Sequence, residues 1–168
     1  MNRKLRFRGE SDNKVDAKGR VSIPASFRRV LEAGDPAWTE GLNPEFVIVY
    51  GGASRQYLEC YTMQAIDEVD DKIEKLPRGS MQRRHLERMF SGQSVTSTVD
   101  ETGRIVLPKK LRDKIGVDKT AFFIASGDTF EIWSPETFDA AHHEEETELG
   151  DLPEDFDPVI WLDQAPGE

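Results

Sequence analysis

Two segments of the chain each place an aspartate four residues before an arginine, with a glycine directly preceding the arginine. They are Asp16 with Arg20 and Asp100 with Arg104, and Lys18 lies inside the first segment. An arginine guanidinium is a planar fork of donors that can contact a guanine edge or a phosphate through two hydrogen bonds. The same arginine could instead pair with its aspartate and only stabilise a turn. Both roles stay open, and they are compatible, since the aspartate could orient the arginine.

These segments belong to an internal repeat with an offset of 84 residues. Residues 14–28 align with residues 98–112, and six positions are identical. Further positions match in character: Val21 with Ile105, Ile23 with Leu107, Phe27 with Leu111 and Leu31 with Ile115. The repeat predicts two copies of one structural unit.

Each copy begins with a turn, a strand and a helix. Aspartate can hydrogen-bond the turn backbone and glycine accepts a positive φ, so Asp-x-x-Gly-Arg predicts a tight turn. Alternating apolar residues then predict a short strand. Pro24 and Pro108 lie where a helix can begin, since proline suits the first helical position. Gly34 and Gly116 are placed to end these helices.

A second pair of strands is predicted in each copy, with turns at 51–52 and 127–128. Each unit is therefore expected to have the order β-β-α-β-β. The first copy is 12 residues longer than the second between matching landmarks. We place this extra length in the polar loop 34–44, which contains proline and glycine.

The chain is divided into four parts by this pattern. The first unit covers residues 1–63, a helical linker 64–92, the second unit 93–138 and an acidic tail 139–168. Apolar residues at helical spacing predict two helices in the linker. The tail shows little periodicity, and we expect most of it to be mobile.

The formal net charge of −10 is unevenly distributed. Residues 136–168 hold twelve acidic and no basic side chains, whereas residues 1–31 hold nine basic and three acidic ones. Residues 1–135 carry a net charge of +2. The overall acidity therefore does not exclude a nucleic-acid partner. The separation of acidic from basic residues suggests that the acidic tail competes with nucleic acid for the basic loops.

Several classes of protein are disfavoured. No apolar run approaches the roughly 18 residues of a membrane span, and no secretory signal is expected. Cys60 is the single cysteine, which fits a cytoplasmic protein without disulfides. Neighbouring histidines at 142–143 project apart, so we expect no metal site there. No Gly-rich phosphate loop or nucleophile elbow is present, so we expect neither a cofactor nor enzymatic activity.

The doubled motif Asp-x-x-Gly-Arg-Val/Ile-x-Ile/Leu-Pro-x-x-Phe/Leu-Arg resembles the MraZ family of bacterial transcriptional regulators. The linker end Arg88-Met89-Phe90-Ser91-Gly92 and the strand Phe130-Glu131-Ile132-Trp133 strengthen the resemblance, which runs from about Phe7 to Phe138. It implies an α+β fold in which two tandem AbrB-like swapped-hairpin units form one pseudo-symmetric barrel with a helical linker.

The resemblance also implies a function. Family members bind direct repeats in the promoter of the division and cell-wall gene cluster, mainly as repressors, and their chains assemble into rings. The implied partners are double-stranded DNA and further copies of the chain, with no membrane. The implied location is the cytoplasm, in association with the nucleoid.

The family's DNA-facing loops correspond here to Asp16 with Arg20 and Asp100 with Arg104, with Lys18 alongside. The second loop has Glu101-Thr102 where the first has Ala17-Lys18, so unequal contributions to DNA binding are expected.

On the short helices, Arg28 and Arg112 are candidates for phosphate contact, which positions a protein without specifying sequence. An ion pair within or between chains is the alternative role for both. Two alternative functions also remain: an AbrB-like antitoxin whose acidic tail neutralises a toxin, and a ring-forming scaffold whose DNA binding is incidental.

Overall fold

The computed structural model describes residues 5–150, 152–153 and 155–164, and its fold is mixed α+β. The chain divides into two compact units, residues 1–138 and 139–168. The tail residues 151, 154 and 165–168 lie outside the described residues.

Each repeat copy has the predicted order β-β-α-β-β. The first copy comprises β1 (Glu10–Lys14), β2 (Arg20–Ser22), α1 (Ala25–Ala33), β3 (Glu45–Val49) and β4 (Leu58–Thr62). The linker comprises α2 (Met63–Glu74), α3 (Met81–Glu87) and a π-helical turn (Arg88–Gly92). The second copy comprises β5 (Ser94–Thr98), β6 (Arg104–Val106), α4 (Lys109–Ile115), β7 (Thr120–Ser126) and β8 (Thr129–Trp133).

The strands form an antiparallel six-stranded sheet in the order β1-β7-β8-β4-β3-β5 and a separate two-stranded ribbon, β2-β6. Each copy's first strand pairs with the other copy's hairpin: β1 lies beside β7, and β5 lies beside β3. Neither copy can therefore complete its sheet alone.

The predicted pseudo-symmetric barrel is not closed. Among the described residues the large sheet is open, with β1 and β5 at its edges. The only pairing recorded between the β1 segment and the β2 segment is the isolated bridge Val15↔Val21. The turn at 16–19 reverses the chain there, and the three residues of β2 form their ladder with β6 instead.

The core of residues 1–138 contains the apolar positions of the repeat in matched pairs. Ten of its buried residues are related by the offset of 84: Val15 and Val99, Val21 and Ile105, Ile23 and Leu107, Phe27 and Leu111, Leu31 and Ile115. Both copies thus contribute equivalent faces to one core, and burial of this apolar surface is the main force that holds them together.

The extra length of the first copy is divided between two connections, not confined to residues 34–44 as predicted. Residues 34–44 join α1 to β3, and residues 50–57 join β3 to β4 where a two-residue turn was expected. In the second copy the equivalent hairpin does turn at 127–128, with Gly127 at φ +71°.

The helix starts follow the sequence closely. Ser80 caps α3 by accepting a hydrogen bond from the Arg83 amide at 3.2 Å. Pro24 and Pro108 precede the first helical residue instead of occupying it, because their ψ angles of 138° and 147° are extended.

The acidic segment contains regular structure that its sequence did not indicate. Helix α5 (Pro135–Glu148) continues into it, and a 3₁₀ helix covers Pro158–Asp163. In the described part of the chain, no helix has the length and hydropathy to cross a membrane.

Candidate nucleic-acid interface

The β2-β6 ribbon brings the two predicted arginines onto one face. In its register Arg20 lies opposite Val106, and Arg104 lies opposite Ser22. The central residues Val21 and Ile105 are buried in the core. Side chains alternate along a strand, so the remaining four residues point to the other face. There the side chains of Arg20 and Arg104 are 39% and 38% exposed.

A tight turn holds each arginine at its end of the ribbon. The Asp16 Oδ1 atom accepts hydrogen bonds at 2.9 Å from the amides of Lys18 and Arg20. Asp100 Oδ1 accepts them at the same distance from Thr102 and Arg104. The glycine before each arginine has φ +83°, which is a conformation suited to glycine. The turns predicted from Asp-x-x-Gly-Arg are thus confirmed.

The two turns are tied to each other's repeat copy. The amide of Leu107 donates to the Gly19 carbonyl at 2.8 Å, and the amide of Ile23 donates to the Gly103 carbonyl at 3.0 Å. The donors of the two bonds are related by the offset of 84 residues, and so are the acceptors, so the ribbon is pseudo-symmetric. These bonds and the β2-β6 ladder set the spacing between the two arginines.

Each arginine is oriented by its own turn. Arg20 Nε lies 2.7 Å from Asp16 Oδ2. In the second turn Arg104 Nε lies 3.6 Å from Asp100 Oδ2 and donates to Thr102 Oγ1 at 3.0 Å. These contacts are made through Nε, whereas most donors of a guanidinium are on its two terminal nitrogens. An oriented arginine can therefore still present a two-pronged donor to a ligand.

The turns also hold their carboxylates in the ionised form. Hydrogen bonds from the amide of Arg20, and then from the Arg20 side chain and the Lys18 amide, keep the pKa of Asp16 below its usual value. The amide of Arg104 and the hydroxyl of Thr102 likewise lower the pKa of Asp100. Each carboxylate is an acceptor at neutral pH, as its role in the turn requires.

The two helix arginines predicted to contact phosphate have partners within the chain. Arg28 donates through Nη1 to the Asp100 carbonyl and through Nε to Glu32 Oε2 at 3.2 Å. Arg112 Nε donates to the Leu107 carbonyl at 2.9 Å. It also borders Gly19, where an added Cβ would lie 3.1 Å from that nitrogen. Arg28 thus bonds the opposite copy's turn, whereas Arg112 bonds within its own copy and lies beside the opposite turn. Contact of either arginine with phosphate stays a prediction.

The turns differ in charge at their tips, as the sequence predicted. Lys18 is exposed on the first turn, where the second carries exposed Glu101 and Thr102. The end of the ribbon at the first turn is therefore more basic than the end at the second turn.

One residue of this face was missed by the sequence reasoning. Val106 is 52% exposed although it is a β-branched apolar residue in a paired strand. The alternation of buried Ile105 and Leu107 was the available signal, because it forces the residue between them outward. Elsewhere in the described residues, no group of three or more His, Cys, Asp or Glu could hold a metal ion.

Comparisons with known proteins agree on one family. The family model described as MraZ protein, antitoxin-like, matches residues 89–155. A protein of Ruegeria pomeroyi named transcriptional regulator MraZ is 66% identical over 163 residues, covering 96% of this chain and 98% of the relative. A relative of the same name from Ruegeria sp. (strain TM1040) is 68% identical with the same coverage. One from Cereibacter sphaeroides is 44% identical over 95% of this chain and 96% of its own length.

Proposed function

The chain belongs to the MraZ family of transcriptional regulators, and we propose that it is a sequence-specific DNA-binding repressor of the division and cell-wall gene cluster. It would bind direct repeats in the promoter through its two Asp-x-x-Gly-Arg turns. The relatives' shared name, transcriptional regulator MraZ, supports regulation as the general role. The names describe regulators, not enzymes.

The observation that carries this proposal is the placement of Arg20 and Arg104 on one face of a two-stranded ribbon. The major groove is wide enough for such a ribbon, and several β-ribbon proteins use it in this way. Arginine is the commonest residue to contact guanine specifically in the groove. Because the turns fix both arginines before binding, little side-chain ordering would be needed on contact.

Several direct repeats in a promoter require several copies of the ribbon. One chain offers one ribbon, so a promoter with several direct repeats needs several chains side by side. Self-association into a ring would present such a row, and linked contacts raise the overall affinity above that of one ribbon. We therefore propose a ring-like homo-oligomer that occludes the promoter, with the protein located in the cytoplasm on the nucleoid.

Nuclease protection of the DNA upstream of the chain's own gene is the direct test. We expect protected boxes at a regular spacing, and an affinity that falls as salt is raised, because phosphate contacts release counterions. The double variant Arg20→Ala/Arg104→Ala should lose this protection. The matched control is Arg78→Ala, which removes an exposed arginine between α2 and α3. Protection that persists in the double variant would refute the role of the turns.

An antitoxin is the second candidate, and the family model's description as antitoxin-like is the observation that favours it. The acidic residues 136–168 would then neutralise a small basic toxin. Copurification of such a partner with the full chain, and its loss from a chain ending at residue 138, would support this function. A salt dependence of DNA affinity near zero would instead favour a scaffold ring whose DNA binding is incidental.

A further inference from the structure

The outer face of the ribbon carries an apolar residue that neighbours both arginines. Val106 lies directly opposite Arg20 in the β2-β6 register and two residues after Arg104 in the chain. Its 52% exposure means that about half of its surface meets water in the free protein. Exposure of a single valine is ordinary. The position of Val106 is unusual, however, because its neighbours Arg20 and Arg104 are the residues proposed to enter the major groove of DNA.

A ribbon that enters the major groove would bring Val106 against base edges. The C5-methyl group of thymine is the apolar feature of that groove, and apolar side chains recognise it by contact. Burying the valine against this methyl removes apolar surface of both from water, which is favourable. Cytosine carries a hydrogen atom in place of the methyl and would leave the contact incomplete.

The pseudo-symmetric position on the other strand has different chemistry. Ser22 is related to Val106 by the offset of 84 and lies opposite Arg104, as Val106 lies opposite Arg20. Its hydroxyl can donate to or accept from a base edge but offers no comparable apolar surface. The ribbon is therefore symmetric in its backbone and its arginines but asymmetric in the residues paired with them.

We propose that Val106 reads the C5-methyl group of one thymine in each DNA box, and that the Val106–Ser22 difference, together with the charge difference between the two turns, makes each chain bind its box in one direction. A box read in one direction repeats head to tail, whereas a symmetric ribbon would accept either direction. This inference rests on the proposed function, since it requires the ribbon to lie in the major groove.

The test replaces each thymine of a protected upstream box, one at a time, by deoxyuridine, which removes only the C5-methyl group. Gel-shift titration of the full-length protein should find one sensitive thymine in each box, at the same place and on the same strand. Loss of one buried methyl corresponds to about a fourfold weaker affinity. The variant Val106→Ser should bind the unmodified box about fourfold more weakly and should no longer distinguish thymine from uracil at that position.

The outcomes separate this proposal from the function it rests on. If every uracil-substituted box binds as tightly as the parent while Arg20→Ala loses specific binding, the reading by Val106 is overturned and the DNA-binding turns stand. If sensitive thymines occur as symmetric pairs within a box, binding in one direction is overturned. If Arg20→Ala and Arg104→Ala also bind like the unchanged protein, both the proposed function and this inference fail. If Val106→Ser does not fold, the uracil series on the unchanged protein still shows whether binding depends on one thymine methyl group in each box.

Discussion

The amide of Leu107 donates to the carbonyl of Gly19 at 2.8 Å, so the first Asp-x-x-Gly-Arg turn is held by the second repeat copy. Leu107 is itself fully buried in the shared core. The position of Arg20 therefore depends on packing that both copies supply, and the turn cannot be treated as an independent peptide.

This close approach predicts different outcomes for two equivalent glycines. Both have φ +83°, so Gly103→Ala should lower the free energy of unfolding by about 1–2 kcal/mol through left-handed strain alone. In Gly19→Ala the new Cβ would lie 2.3 Å from the Leu107 carbonyl, whereas nothing lies within 4 Å of the Cβ at Gly103. Gly19→Ala should therefore destabilise more, as measured by urea unfolding. Equal effects would show that the backbone at Gly19 relaxes freely.

The two arginines should contribute unequally to DNA binding. Removal of either should weaken specific binding by about tenfold to a hundredfold, the usual range for an arginine that contacts a base. We expect Arg20→Ala to lose more than Arg104→Ala, because Lys18 adds positive charge to the first turn. Gel-shift titration with the protected upstream DNA measures both variants. Equal losses would remove the ranking, and unchanged binding in both would contradict the role of the turns.

The aspartate of the first turn should act mainly through its acceptor oxygen. Asp16→Asn keeps Oδ1, which accepts the amides of Lys18 and Arg20, but it removes the ion pair with Arg20. We expect Asp16→Asn to bind specific DNA within a few-fold of the unchanged protein and Asp16→Ala to bind more weakly. Asp12→Ala, which removes an exposed carboxylate of β1, controls for charge. Equal losses for asparagine and alanine would show that the ion pair is decisive.

The turn should also have a recognisable pH dependence. Folding lowers the pKa of Asp16 below its unfolded value near 3.8. The ionised carboxylate therefore stabilises the fold fully at a pH above the unfolded pKa, and this stabilisation is lost as the pH falls through the folded pKa. Carboxyl resonances followed by NMR should show this titration below pH 3.8. Because the Arg20 amide is the largest cause, Arg20→Ala should reverse only part of the lowering. An Asp16 pKa at or above the ordinary value would contradict the hydrogen bonds of this turn.

Truncation of the acidic segment should increase binding to unrelated DNA. A chain ending at Phe138 loses eleven acidic residues and no basic ones, so repulsion from phosphate falls. Filter binding to a scrambled duplex should show a higher affinity at low salt, and the difference should shrink as salt rises. A full-length chain with glutamines at the glutamates of residues 144–148 is the control for length. Unchanged affinity in the truncated chain would refute competition by the tail.

Much of the fold follows from local chemistry that the sequence displays. The turns at Asp16 and Asp100 were predictable because an aspartate acceptor and a glycine with positive φ act within five residues. The element order followed from the repeat. Local chemistry was less informative for the loop 50–57, where the glycine pair at 51–52 suggested a two-residue turn, and for α5, which lacks a strong apolar periodicity.

The sequence alone determined that two equivalent units exist, that each carries an Asp-x-x-Gly-Arg turn, and that the basic and acidic charges are segregated. Only the tertiary structure decided that β2 pairs with β6 and places Arg20 and Arg104 on one face. It also decided that the large sheet stays open, and that Arg28 bonds the opposite copy's turn. The physical reason is separation along the chain. Hydrogen bonds within a turn are encoded by neighbouring residues, whereas strand pairing between the copies joins residues from 45 positions apart (Val49 and Ser94) to 114 positions apart (Glu10 and Ile124).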